Sequence, residues 1–182
     1  MIPIIDNFCI RQWREDDGKH IVKYANNPKI AANLRDGFPY PYALSDAERF
    51  VAMAMAKDPQ TFLAIVNDDA VIGSIGLAVG GDVHRYTAEM GYWLAEPFWG
   101  QGITTRAVVA FSDWAFEQLD LIRIAATPYG SNAASARVLE KAGFTYEGRL
   151  KGAVFKNGRV QDMLVYARYS DENALRLQES VC

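Results

Sequence analysis

Two cysteines and two histidines in 182 residues leave little material for metal or disulfide chemistry. Cys9 sits in an apolar run and Cys182 is the last residue. Two such residues build no disulfide framework, and their spacing matches no zinc motif. Cys9 therefore reads as a small buried hydrophobe. Runs of Lys and Arg are missing and the net charge is −3, which speaks against nucleic acid as the partner. No apolar stretch reaches the roughly 18 residues of a membrane span. Nor is there a basic segment leading into a long apolar run and a small-residue cleavage motif. A cytoplasmic protein is the expectation. Repeats, low-complexity segments and linkers are also lacking. What remains is 50% hydrophobic and 23% charged residues, the balance of one globular domain, residues 1–182, with a sizeable core.

Periodicity and punctuation predict the elements in order. Residues 8–12 read as a strand. Asp16 and Asp17 open a helix that Asn26-Asn27-Pro28 breaks. Residues 33–42 hold two prolines and a glycine among large apolar side chains, so this irregular loop covers either the core or a substrate. Ser45 and Glu48 form a capping box for a second helix that carries Phe50, Val51, Met53 and Ala54 and ends near Asp58-Pro59. Its methionines read as core. Residues 61–66 and 70–79 form a hairpin across Asn67-Asp68-Asp69, with Gly73 and Gly76 marking a bulge or close packing. Residues 86–94 follow as a strand.

A helix from Ile103 turns Ala107, Phe111, Trp114 and Ala115 inward and Ser112 elsewhere. Residues 121–126 form a strand beside 86–94. Asn132 caps a helix over 132–142 whose inner face is Ala134, Val138 and Ala142, with Leu139 beside it. Gly143 stands at its C′ position and Phe144 packs back. Residues 145–155 and 159–166 form a hairpin on Asn157-Gly158, and a short polar tail runs from Ser170 to Cys182. This order suggests a mixed sheet with helices on both faces.

The chemistry concentrates at residues 89–106. A strand runs into a turn holding Gly100 and Gly102 and then into a helix. The first N–H groups of a helix lack internal partners and carry partial positive charge, so the ligand they suit is an anion such as a pyrophosphate. A P-loop is excluded for want of Gly-Lys-Ser/Thr, and Gly100-x-Gly102-x-x-Thr105 lacks the third glycine of a dinucleotide fold.

Three stretches together resemble the GNAT N-acetyltransferase family in its RimJ/RimL-like branch. They are Glu89-Met-Gly-Tyr-Trp-Leu with Trp99-Gly-Gln-Gly-Ile-Thr-Thr, Asn132-Ala-Ala-Ser-Ala-Arg-Val-Leu-Glu-Lys-Ala-Gly-Phe, and Phe155-Lys-Asn-Gly-Arg with Asp162 and Tyr166. The resemblance covers about residues 8–168. It implies an α/β fold with a mixed, mostly antiparallel central sheet and a V-shaped splay between two central strands. It also implies acetyl-CoA as co-substrate with no metal. In that reading the backbone at Tyr92, Trp93 and Leu94 pairs with the pantetheine arm, and Gln101, Gly102, Ile103, Thr104 and Thr105 hold the pyrophosphate. Asn132 and Ser135 lie along the arm and sulfur, and Phe38, Tyr40, Tyr42 and Asp162 shape the acceptor pocket. Thr104 and Arg106 depart from the usual loop, Arg106 reading as solvent-facing. Leu139 stands where many members carry an acidic tyrosine, and that role does not transfer.

Acetyl transfer needs a neutral amine. Lysine side chains ionise near ~10.4 and α-amines near ~7.7–8.0, so an α-amine needs less help at neutral pH. Glu89 is the candidate base, against the alternative of a solvent-facing or salt-bridged carboxylate. Asp162 and His84 are rivals, with His84 reading as a loop residue. Ser135 is the candidate proton donor to the thiolate, against an ordinary N3 residue. The acceptor implied is the α-amine of a protein N-terminus, ribosomal or otherwise. A polyamine, amino acid or amine antibiotic is the alternative, and a non-catalytic acyl-CoA sensor the second class. A homodimer is compatible with the resemblance.

Overall fold

The computed structural model describes residues 1–68 and 70–170. Its strands are β1 (Ile2–Ile5), β2 (Phe8–Arg11), β3 (Phe62–Asn67), β4 (Ala70–Val79), β5 (Thr87–Leu94), β6 (Arg123–Ala126), β7 (Thr145–Lys156) and β8 (Arg159–Tyr169). Its helices are α1 (Asp17–Ala25), α2 (Pro28–Ala31), α3 (Leu44–Met55), α4 (Ile103–Gln118) and α5 (Ala133–Lys141). The strands run in the order β1-β2-β3-β4-β5-β6-β8-β7. The β1–β2, β2–β3, β3–β4, β6–β8 and β7–β8 pairs are antiparallel, and β5–β6 is parallel. The predicted mixed, mostly antiparallel sheet is therefore present. Two compact units divide the residues: 1–76 with 91–110, and 77–90 with 111 onward. Strands β4 and β5 and helix α4 each contribute to both.

In the first unit, Trp13, Ile21, Ala25, Ile30, Tyr42, Ala47, Val51, Ala54, Ala64, Val66, Val71 and Trp93 form one buried cluster. Strand β3 is buried on both faces, with Leu63, Ala64, Ile65 and Val66 all at 4% exposure or less. That explains why Phe-Leu-Ala-Ile-Val reads as a continuous apolar run without alternation. Both glycines of β4 are close-packed. A Cβ at Gly73 would stand 2.4 Å from the Trp93 carbonyl oxygen, and one at Gly76 would stand 2.4 Å from the Phe62 ring. The β3–β4 register also shifts beside Gly73, between Ile65 and Val66.

The second unit holds the sites of strongest local agreement. Helix α5 ends in a Schellman motif: Phe144 N–H donates to the Leu139 carbonyl at 3.0 Å and Gly143 N–H to that of Glu140 at 3.2 Å. Gly143 has φ +83°, a left-handed conformation that glycine takes without Cβ strain. Asn157 and Gly158 both have positive φ, as a tight hairpin turn requires.

Several expectations are corrected. Strand β1 precedes the first expected strand, and its Pro3 is tolerated because β1 lies at the sheet edge. Pro28 ends α1 and also starts α2 as a first-turn residue, with the Asn27 side chain accepting from Lys29 N–H at 2.8 Å. Ser45 is not the cap of α3. That helix begins at Leu44, and the Asp46 carboxylate accepts from Ala43 N–H at 3.0 Å. Met53 and Met55 are exposed. Ser112 is fully buried on α4. On α5, Ala136 and Leu139 face inward with Ala142, and Ala134 is exposed. Cys9 is half-buried against the core of the first unit. Asp69 of the predicted turn and the tail beyond Ser170 lie outside the described residues.

Candidate acyl-transfer site

In the first unit, β5 ends at Leu94 and a single 3-10 turn (Glu96–Phe98) leads into the glycine loop. Three side chains, Phe98, Glu96 and Trp99, hold that turn. The Phe98 ring packs edge-on against Phe8 at 6.1 Å and Tyr24 at 6.2 Å. The Glu96 carboxylate pairs with Lys29 and accepts from the Asn27 amide at 2.8 Å. Lys29, and then Asn27, hold its carboxyl below the ordinary range. The Trp99 indole N–H donates to the Leu94 carbonyl at 2.6 Å, folding the loop back on the strand end.

Beyond Trp99 the loop opens. Gly100 and Gly102 both have φ +75°, and a Cβ on either would meet nothing within 4 Å. The first rung of α4 is Arg106 N–H to the Gly102 carbonyl at 3.2 Å, so the N–H groups of Ile103, Thr104 and Thr105 fall outside the helical ladder. No acidic residue stands in the first turn of this 16-residue helix, so its own first turn leaves the positive end of the dipole without an offsetting carboxylate. These features fit a diphosphate.

The other predicted loop residues divide by exposure. Gln101 and Gly102 are exposed, Thr104 and Thr105 half-buried, and Ile103 buried. The Gln101 amide donates to the Pro97 carbonyl at 3.1 Å. Arg106 is exposed, as expected.

The aromatic loop also belongs to this unit. Phe38 stacks on Tyr42 at 4.7 Å and meets Trp93 edge-on at 5.8 Å. Tyr42 and Trp93 belong to the buried cluster, with Phe38 packed against it, so these side chains cover the core. Burial, and then the Asp46 carboxylate, push the Tyr42 phenol up to about 12 against the opposing pull of Arg49. It therefore stays protonated at neutral pH. Tyr40 is 54% exposed. Of the strand residues predicted to meet a cofactor, Trp93 and Leu94 bury their side chains and Tyr92 is half-buried.

In the second unit, Glu89 is half-buried between the buried neighbours Ala88 and Met90. Its Oε1 accepts from the Thr127 hydroxyl at 2.6 Å. The parallel ladder that pairs Glu89 with Ala125 stops there, while β5 runs on to Leu94. Asn132 caps α5, accepting from Ser135 N–H at 3.1 Å, and Ser135 is half-buried. His84 is an exposed loop residue. Leu139 is fully buried.

A cavity of about 340 Å³ lies in this unit, lined by Gly130, Ser131, Arg149, Val160, Gln161, Asp162 and Leu164. Asp162 is occupied within it: Oδ1 accepts from Gly152 N–H at 2.8 Å and Oδ2 pairs with Arg149. The Gly152 amide, and then Arg149, hold its carboxyl below the ordinary range. A lowered folded-state pKa stabilises above the ordinary value of 3.8 and is lost as pH falls through the lower one. The Gly152 amide NMR signal should therefore stay constant from neutral pH to about 4 and move only below it. A midpoint at or above 3.8 would contradict this pairing.

Thr127, Arg149, Gln161 and the anchors Glu96 and Asn27 escaped the sequence reading, since each acts through a partner distant in the chain. Among the described residues, no group of three His, Cys, Asp or Glu side chains could hold a metal ion. Likewise, no described helix is long and apolar enough to cross a membrane.

Comparison with known proteins identifies the family. Residues 7–145 match the family described as the acetyltransferase (GNAT) domain. The putative ribosomal N-acetyltransferase YdaF of Bacillus subtilis is 36% identical over 103 residues, 57% of this chain and 56% of YdaF. The ribosomal-protein-serine acetyltransferase of Escherichia coli is 36% identical over 107 residues, 59% of each protein. The chain thus spans a little over half the length of these two curated relatives. A solved structure of RimL, a ribosomal L7/L12 alpha-N-protein acetyltransferase in complex with coenzyme A, shares the fold. Its TM-score is 0.84 at 24% identity, covering 93% of this chain and 98% of that one. The chain belongs to the acetyltransferase (GNAT) family.

Proposed function

We propose that the protein transfers the acetyl group of acetyl-CoA to the α-amine of a protein N-terminus by direct attack. The observation that carries this reading is the Glu89 carboxylate, half-buried on β5 and oriented by Thr127. A base so held suits an amine that is already partly neutral at pH 7, as an α-amine is. The ribosomal-protein names of YdaF and the E. coli relative support a protein acceptor.

Acetyl-CoA supplies an activated thioester. The N–H groups from Gln101 to Thr105 bind its pyrophosphate, and the β5 backbone from Tyr92 to Leu94 aligns the pantetheine arm. Asn132 and Ser135 meet the arm near the sulfur. On the acceptor side Tyr40 offers an exposed ring, backed by the Phe38 and Tyr42 rings that cover the core. Glu89 takes a proton from the ammonium. The amine nitrogen then bonds to the carbonyl carbon, the C–S bond breaks, and the sulfur gains a proton from the Ser135 hydroxyl. Serine is restored by the second proton lost from nitrogen, so the step is balanced.

Asn132→Asp keeps a good N-cap but removes the amide donor. It should weaken acetyl-CoA binding about tenfold, the scale of one lost hydrogen bond, with thermal stability retained. Calorimetric titration giving parental affinity would restrict Asn132 to capping. The acceptor class is tested by mass spectrometry on peptides with free α-amines, the same peptides blocked at the α-amine but carrying lysine, and spermidine. A mass gain on the free α-amine peptides alone is expected. Gain on spermidine alone would overturn the acceptor assignment.

A further inference from the structure

We propose that Thr127 is a positioning residue for acetyl transfer, its hydroxyl fixing the orientation of the Glu89 carboxylate. This rests on the reading of Glu89 as base. The two residues lie 38 apart in sequence and are brought together by the β5–β6 ladder, in which Glu89 stands directly opposite Ala125. Opposed residues point to the same face of a sheet. Ala125 is small, so the Glu89 side chain can lie across it toward Thr127, two residues on and just past the end of β6. The hydroxyl meets Oε1 at 2.6 Å, within the short range of an O–H donor on an ionised oxygen.

Thr127 is itself held on both sides. Ala126 pairs with Tyr166 on β8, and the Pro128 carbonyl accepts from Leu164 N–H at 2.9 Å. Pro128 also restricts Thr127 to extended backbone. The hydroxyl therefore stands on a segment fixed by two strand contacts, the support that a catalytic group needs to keep its geometry. An ionised carboxylate has about four acceptor positions. Thr127 takes one of them and fixes the plane of the others, while its own proton stays on the threonine throughout.

The test is steady-state kinetics on Thr127→Val, Thr127→Ser and Glu89→Gln, and on Thr127→Val combined with Glu89→Gln. Thermal unfolding checks each fold, and Thr127→Ala replaces the valine variant should that one be unstable. Thr127→Val should lower kcat about tenfold, the low end for losing a hydrogen bond to a charged group, with the acetyl-CoA KM unchanged. Thr127→Ser should stay within about twofold of the parent, since it keeps the donor. In the Glu89→Gln background, Thr127→Val should add nothing, because residues acting as a unit are non-additive. Parental kcat in Thr127→Val, an equal loss in Thr127→Ser, or additive losses would each overturn the proposal. A Glu89→Gln variant with parental turnover would remove the base itself and this inference with it. That result is distinct from a failure confined to Thr127.

Discussion

Glu89→Gln is expected to lower kcat about 100-fold, the lower range for losing a positioned general base, with acetyl-CoA affinity within about twofold of the parent. The substitution keeps side-chain length and an oxygen that can accept from Thr127, so packing around β5 is preserved. What it removes is the capacity to take a proton from the acceptor. Affinity for the cofactor should survive because the glycine loop and the start of α4 contain no part of Glu89. The two forms should also differ in their pH–rate profiles. Superimposable profiles, or a loss confined to KM for acetyl-CoA, would contradict the role of base.

Asp17→Ala is expected to cost about 3–5 kcal/mol of folding stability, the scale for removing one partner of a buried ion pair. Arg11 on β2 and Asp17 at the start of α1 are 6% and 4% exposed. They form a two-pronged pair, with Nη1 to Oδ2 at 2.7 Å and Nη2 to Oδ1 at 2.8 Å. Asp17 Oδ2 also accepts from Arg14 N–H at 2.7 Å, so one carboxylate joins the strand, the connecting turn and the helix. Removing it takes away the carboxylate that engages both Nη atoms of a desolvated guanidinium. Replacing both residues together, as Arg11→Met with Asp17→Leu, should recover most of the loss, since the cost lies in the uncompensated charge. Urea unfolding measures both. A loss below about 1 kcal/mol for Asp17→Ala would mean the pair behaves like a surface ion pair.

The parts of the fold legible in the sequence are those set by local backbone chemistry. Gly143, the Asn157-Gly158 turn and the Asn132 cap could be read because each depends on residues within about five positions. The same holds for the turn at Gly100 and Gly102, which the structure shows in left-handed backbone with open space where a Cβ would stand. The misread features have physical causes too. Alanine carries little information about which way it faces, and Ala134, expected inward on α5, is exposed. Two acids and a serine stand near the start of α3, and in the structure it is Asp46 that accepts from the Ala43 N–H. The site was legible as a set of stretches but not as contacts. Glu89 could be proposed from its strand, whereas Thr127 emerges only when β6 is set beside β5. Asp162 stood out as a candidate for receiving the acceptor, yet Gly152 and Arg149 already engage both its oxygens.

The central claim, acetyl transfer from acetyl-CoA to an amine, is tested most directly by following free thiol release with purified protein and N-terminal peptides. Controls lack enzyme or acceptor. The account predicts release that requires the acceptor and equals, mole for mole, the acetylated peptide found by mass spectrometry. Verified acetyl-CoA binding with no acceptor-dependent release across peptides, polyamines, amino acids and aminoglycosides would contradict it, and would leave a protein that binds the acyl carrier without transferring its group.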